Sequence, residues 1–329
     1  MNAMARDKAF DGLKYILIVL VVVGHFIEPS RYENRCSCIL YSVIYAFHMP
    51  LFIWISGYFY KRRSIREEIR KCAPLLEICL VSHLGYAILK YGSLNVNNIL
   101  DFSYTPSWFL LSLVFWRLSS SLLLVRIKPN RLLTLSIAIE IATFLFVPKY
   151  GGVLSFMRTV QFFPFFVAGY CMRDKLTHFE RYRKHSYVLG ILALVFIIFS
   201  SCRLQHQIEF QRAGLMELTH HTDFGTAEIL IFRYATVISS IIISIAILQL
   251  IRQVQTFDYI VKFGGGNVIH LLLANIADTD CNRLYTRIHR IHNDISHRNL
   301  HNNSFFKEQI PQFHHKTIQP YDTSGKINK

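Results

Sequence analysis

The chain has 329 residues, of which 52% are hydrophobic and only 17% charged, against about 25% charged in an average soluble protein. One water-soluble core cannot hide that much apolar surface, so the composition excludes an ordinary soluble domain and predicts an all-α, polytopic transmembrane helix bundle. The formal net charge of +15 then belongs to loops, and no basic groove with interleaved aromatics marks a nucleic-acid partner.

Eight apolar segments follow in chain order, at roughly 13–28, 39–60, 73–90, 107–125, 131–148, 153–172, 186–202 and 227–251. The first has the length of a signal-peptide core. Its end, His25-Phe26-Ile27-Glu28-Pro29, offers no small-x-small cleavage site, so it is expected as a retained helix. Basic clusters follow the second, fourth, sixth and eighth segments, at Lys61–Lys71, Arg126–Arg131, Arg173–Lys184 and around Arg252. The alternate loops, 29–38, 91–106, 149–152 and 203–226, carry fewer cations. By the positive-inside rule this alternation puts the N-terminus in the cytoplasm and the chain in an inner (plasma) membrane as a multi-pass protein. The stretch 203–226 reads either as an outer loop or as a helix that only partly enters the membrane. From Gly264 the pattern changes to a polar tail rich in histidine and asparagine, whose one apolar run, Val268–Ala277, is too short to span. The chain therefore divides into a membrane domain, 1–263, and a tail, 264–329, read as disordered. The seven cysteines include no CxxC pair, which argues against a disulfide framework or a structural metal site.

With this orientation, His25, His48, Trp108, Arg158 and Gln161 all fall in the outer part of the membrane, on four different helices. Polar groups there are costly and mark function. A histidine has the proton affinity to take a proton from a hydroxyl near neutral pH. Asp11, about 20 Å from His25 by helical rise, is too far away to orient it, so its partner is expected from another helix. At the inner end, Lys14, Lys61, Arg62 and Arg66 form a basic rim with the charge to hold an anionic donor such as the phosphates of coenzyme A.

Four ordered motifs then carry a resemblance. Phe10-Asp11-Gly12-Leu13-Lys14, ten residues and Gly24-His25 resemble the opening of the acyltransferase-3 family of membrane O-acyltransferases, with Lys14 where arginine is common. Phe47-His48-Met49-Pro50-Leu51-Phe52, running on to Ser56-Gly57-Tyr58-Phe59, is similar to that family's second helix. Pro106-Ser107-Trp108-Phe109-Leu110 is similar to its fourth-helix motif. Arg158 followed by Phe162-Phe163-Pro164-Phe165-Phe166-Val167-Ala168-Gly169-Tyr170 resembles its sixth. The wording is most like the fucose 4-O-acetylase-like branch. The resemblance implies about ten helices. It implies transfer of an acyl group, usually acetyl from acetyl-CoA, to a hydroxyl of a cell-surface or lipid-linked glycan. No tightly bound cofactor is implied, only the acyl-CoA donor. The essential histidine would be His25. Arg158 would serve charge developing on the thioester oxygen or hold the acceptor, with His48, Trp108 and Gln161 shaping the substrate site. The family's basic positions would map onto Lys61, Arg62 and Arg66.

The chain departs from the family pattern at its end. Phe263-Gly264-Gly265-Gly266-Asn267 begins the expected glycine turn, after which the apolar pattern is lost. We read a frameshift or truncation near Gly264, which makes an inactive remnant one alternative. The other is a transporter or flippase of a lipid-linked glycan, disfavoured because no internal repeat is visible.

Overall fold

The computed structural model describes residues 8–91, 95–102, 105, 107–147, 153–173, 183–203, 215, 218–219 and 224–251. Its elements are α1 (Lys8–Ile27), a 3₁₀ turn (Glu28–Tyr32), α2 (Arg35–Phe59), α3 (Ile65–Tyr91), α4 (Val96–Leu100), α5 (Trp108–Leu123), α6 (Pro129–Phe146), α7 (Phe156–Cys171), α8 (Arg183–Arg203) and α9 (Thr226–Ile251). Among the described residues the only strand-like pairing is one isolated bridge, Asp101 with Val153. The fold is an all-α bundle, and each of the eight apolar segments is a helix. Six stretches, carried by α1, α2, α3, α6, α8 and α9, are long and apolar enough to cross a membrane. The other two helices, α5 and α7, have 16 residues each. That is about 24 Å of rise, short of a hydrocarbon core of about 30 Å. The boundary expected at 263/264, and the whole tail, lie outside the described residues. Of the stretch 203–226, Leu218 is buried with Phe144 and Ile229.

One boundary differs from the sequence reading. The helix α3 starts at Ile65, eight residues before its apolar run, so Arg66–Lys71 are helical rather than loop. Ser64 caps its first turn: the Ser64 hydroxyl accepts from the Glu67 amide at 3.4 Å. Glu67 and Glu68 in the first turn suit the positive end of the helix dipole.

Two glycines set the central crossing. A Cβ on Gly57 of α2 would collide with the Phe166 carbonyl of α7, and a Cβ on Gly169 would collide with the Trp54 carbonyl. The two backbones are therefore in direct contact, as small residues permit inside membranes. Around this crossing, Ile53, Tyr60, Trp116, Phe162 and Phe166 pack into one core, and Leu13, Leu17, Leu51, Trp54 and Leu248 into another.

Polar ties fix the remaining helices. Pro50, inside α2, has no N–H, which frees the Ala46 carbonyl one turn back. Ser240 of α9 donates its hydroxyl to that carbonyl. Glu68 of α3 is fully buried and accepts from Arg117 of α5 at 2.5 Å, with Arg63 at 3.6 Å. Glu140 of α6 pairs with Arg233 of α9, whose guanidinium also lies 4.1 Å from the Phe144 ring centroid. The linker after α2 is bolted to α5. Tyr60 donates to the Arg117 carbonyl at 3.2 Å and Ser121 to the Arg63 carbonyl at 3.0 Å. Burial and the Glu68 carboxylate push the Tyr60 phenol up to about 12, so it remains a donor at any working pH.

Two outcomes are expected. Gly57→Ala or Gly169→Ala will destabilise the purified protein by about 3 kcal/mol, the upper end of overpacking costs. Gly85→Ala, at a site with open space, will be neutral or stabilising by up to about 1 kcal/mol. Thermal unfolding in detergent distinguishes them. Ser240→Ala will cost about 1 kcal/mol by removing that buried hydrogen bond. In a Pro50→Ala background the same change will cost less, because residue 50 then supplies an N–H to Ala46. A double-mutant cycle measures the difference.

Candidate active site

The α1 helix delivers His25 at its last turn. Pro29 heads the following 3₁₀ turn, and its missing N–H and restricted neighbour end the α-helix there. The tightened turn brings Glu28 back beneath the imidazole, with His25 Nδ1 3.1 Å from Glu28 Oε2. A carboxylate only accepts, so Nδ1 carries the proton. The neutral ring then presents Nε2 as a free lone pair, the arrangement of a general base held by an acidic partner. The His25 side chain is 38% exposed, so a substrate hydroxyl can reach it. Glu28 is itself held: Tyr41 donates to Oε1 at 3.0 Å, and Arg31 lies at 3.7 Å.

The expectation that the orienting partner of His25 comes from another helix is corrected by this geometry. The partner is the next turn of the same chain, and the other helix contributes Tyr41 one step further out. The i,i+3 spacing of His25 and Glu28 was visible in the sequence.

Tyr45 joins the two histidines. Its ring stacks on Tyr41 at 4.0 Å, meets His48 edge-on at 4.6 Å and faces His25 at 6.4 Å. Gly24 makes room for it, since a Cβ there would stand 2.8 Å from the Tyr45 ring. His48 is buried, and its Nδ1 lies 2.7 Å from the Ile44 carbonyl. The carbonyl makes Nδ1 the protonated nitrogen of the neutral ring.

Trp108 and Arg158 come together on the α5–α7 side, with the Arg158 guanidinium carbon 5.3 Å from the Trp108 ring centroid. A strained turn launches α7: Leu154 and Ser155 have φ of 49° and 52°, a left-handed pair that costs non-glycine residues about 1–3 kcal/mol each. The Leu154 amide donates to the Leu100 carbonyl at 2.8 Å, which holds the turn. The Trp116 indole N–H donates to the Thr159 carbonyl at 2.7 Å, and Ser112 meets the Thr159 hydroxyl at 2.6 Å. Phe52, one turn below His48, packs on Phe109 at 5.1 Å, and Phe109 on Trp108 at 6.2 Å. Phe52, Phe109 and Trp108 thus form an aromatic run that begins one turn from His48 and ends at Arg158.

Gln161 is placed elsewhere. It is buried and lines a cavity of about 560 Å³ shared by α2, α6, α7 and α9, together with Glu140 and Arg233. The basic rim divides too. Lys14 pairs with Asp11 at 3.6 Å and lies 4.1 Å from the Phe59 ring centroid. Arg62 donates to the Leu124 carbonyl at 2.9 Å and so caps α5. Lys61 and Arg66 are exposed. Lys14 stands about 16 Å below His25 by helical rise.

The family model described as an acyltransferase domain matches residues 7–281. The chain belongs to the acyltransferase-3 family. The match runs past Gly264, into the stretch read from sequence as the tail. Two relatives are similar over part of their length. Nodulation protein NolL of Sinorhizobium fredii is 33% identical over 142 residues, covering 38% of this chain and 37% of that protein. Nodulation protein NolL of Mesorhizobium japonicum is 29% identical over 183 residues, covering 50% of this chain and 47% of that protein. The chain thus spans less than half the length of the curated relatives it matches. No solved structure matches it.

If His25 is the general base proposed below, Glu28→Gln will slow acyl transfer by roughly tenfold, less than the 10²–10⁴-fold that a positioned base contributes in full. Thermal stability and KM for the acceptor will hardly change. Equal rates for the variant and the native protein in purified membranes would remove Glu28 from the site.

Proposed function

We propose that this chain is a membrane O-acyltransferase that moves an acetyl (acyl) group from acyl-CoA to a hydroxyl of a cell-surface or lipid-linked glycan. The observation that carries the reading is the His25–Glu28 pair, with Nδ1 held and Nε2 left open on a half-exposed ring. His25 Nε2 takes the proton of the acceptor hydroxyl as its oxygen attacks the thioester carbonyl. The C–S bond breaks, and the proton passes from His25 to the departing thiolate. Arg158 meets charge developing on the carbonyl oxygen or holds the acceptor. The face of Trp108 suits a sugar ring, and Tyr45 and His48 wall the base. Lys14, Lys61 and Arg66 supply charge for the donor's phosphates at the far end of α1. Family membership supports the acyl chemistry. The basic loops support an inner-membrane protein with a cytoplasmic N-terminus and basic end.

The test is the ester-linked acetyl content of the surface glycan in a deletion strain restored with the native gene or with His25→Ala. Acetyl lost on deletion, regained with the native gene and absent with the well-expressed variant is the expected result. Acetyl unchanged by deletion would overturn the proposal.

A further inference from the structure

The largest polar investment away from His25 lies on the other side of α2. Trp54, which lines the 560 Å³ cavity, is about two and a half helical turns on from Tyr45 and so points the opposite way. The cavity has the size of an ordinary small-molecule pocket, but its walls are mostly apolar: Pro50, Ile137, Phe165, Val237, Ile241 and Leu248 among them. Every helix around it is apolar, and α2, α6 and α9 are long enough to cross the bilayer. Its surroundings are therefore rich in hydrocarbon rather than in soluble metabolites.

A second cavity, of about 570 Å³, opens at the first turn of α6 and the last turn of α7. It is lined by Lys128, Asn130, Arg131, Tyr170 and Arg173, with no acidic residue among its walls. Lys128 is the N-cap residue of α6, and its side chain makes no capping hydrogen bond to the helix. The amides of Asn130 and Arg131 have no intrahelical carbonyl by their position, so the helix end adds its own positive field. The two cavities draw on adjoining turns of the same two helices. Leu133, Ala168 and Met172 line the apolar one, and Arg131, Cys171 and Arg173 the basic one. A cationic mouth next to an apolar chamber within one helix pair is complementary to an anionic head joined to a hydrocarbon tail.

We infer that this chain holds one anionic phospholipid, its phosphate among Lys128, Arg131 and Arg173 and one acyl chain in the cavity between α2, α6, α7 and α9. The lipid wedges α6 and α7 against α9 on the side of α2 that carries no histidine. Its role is separate from the acyl-transfer chemistry and does not rest on it. The Glu140–Arg233 pair and Gln161 lie on the chamber wall, where an acyl chain excludes water from the ion pair.

The full chain in nanodiscs of equal phosphatidylglycerol and phosphatidylcholine, released into native mass spectrometry, tests this. One retained phosphatidylglycerol per chain, preferred over phosphatidylcholine, is expected. Replacing Lys128, Arg131 and Arg173 together by alanine should erase roughly 100-fold of that preference, from three surface charges acting on one phosphate. Ile241→Trp should expel the lipid by filling the chamber while leaving the basic mouth intact. If one variant fails to fold, the other decides. Equal retention of the two lipids, or retention of phosphatidylglycerol unchanged in a folded variant, overturns the inference. So does displacement of the retained lipid by acetyl-CoA, which would make the basic mouth a donor-phosphate site.

Discussion

At Gly57 and Gly169 the backbones of α2 and α7 touch, and the placement of the functional groups follows from that contact. Inside a membrane, helices gain little from hiding apolar surface from one another, so close packing and polar ties must hold them. With no side chain between them, α2 and α7 cannot slide or rotate without a clash. The orientation of α2 is thereby fixed. One side turns Tyr45, His48 and Phe52 toward α1 and α5, and the other turns Pro50 and Trp54 toward the cavity shared with α9. The helix α7 is fixed by the same contact, and this sets Arg158 at its start against Trp108.

The polar ties then close the bundle around this pair. Each uses a group that the helix cannot satisfy by itself. Pro50 strands the Ala46 carbonyl, and Ser240 takes it up. Glu68 and Glu140 are buried carboxylates, each met by an arginine from a different helix. Buried pairs of this kind add little net stability over well-packed apolar residues. Breaking one costs several kcal/mol, about 3–5 in measured cases. Their effect is on choice of neighbour: α3 must find α5, and α6 must find α9. In an environment where apolar faces are interchangeable, such pairs specify which helices adjoin.

Length and hydrophobicity made the eight helices legible, because a run of about 20 apolar residues has few alternatives. Rotation about the helix axis was not legible. Gln161 and Arg158 are one turn apart on α7, yet Arg158 meets Trp108 while Gln161 lines the cavity with Glu140. No single-helix pattern decides that, because the neighbours in question, Trp108 and Glu140, belong to other helices. Arg62 shows a similar limit: a cation at the membrane edge reads as a phosphate ligand or a helix cap, and only the position of the Leu124 carbonyl chooses. The start of α3 was written in Ser64 and Glu67 but lay outside the apolar run. Glu28 was likewise one turn from His25 and was missed.

Under the proposed reaction, the distance from Lys14 to His25 constrains the path of the donor. The nucleotide phosphates belong at the basic end and the reacting carbonyl near His25, about 16 Å higher along α1. The seam between α1 and α2 is closed at the basic end. Phe10 stacks on Tyr58 at 5.1 Å and meets Phe59 at 5.2 Å, and Trp54 stacks on Tyr58 at 5.3 Å. A thioester arm therefore cannot rise between these two helices. The other face of α2 that reaches His48 is the one carrying Phe52, opposite Phe109 and Trp108 of α5. These are partly buried, flat side chains with no charge of their own. An arm entering there passes Trp108, against which the Arg158 guanidinium carbon lies 5.3 Å from the ring centroid, so the donor would run along partly buried side chains. That route would shield the donor from water while the exposed His25 stays open to the acceptor.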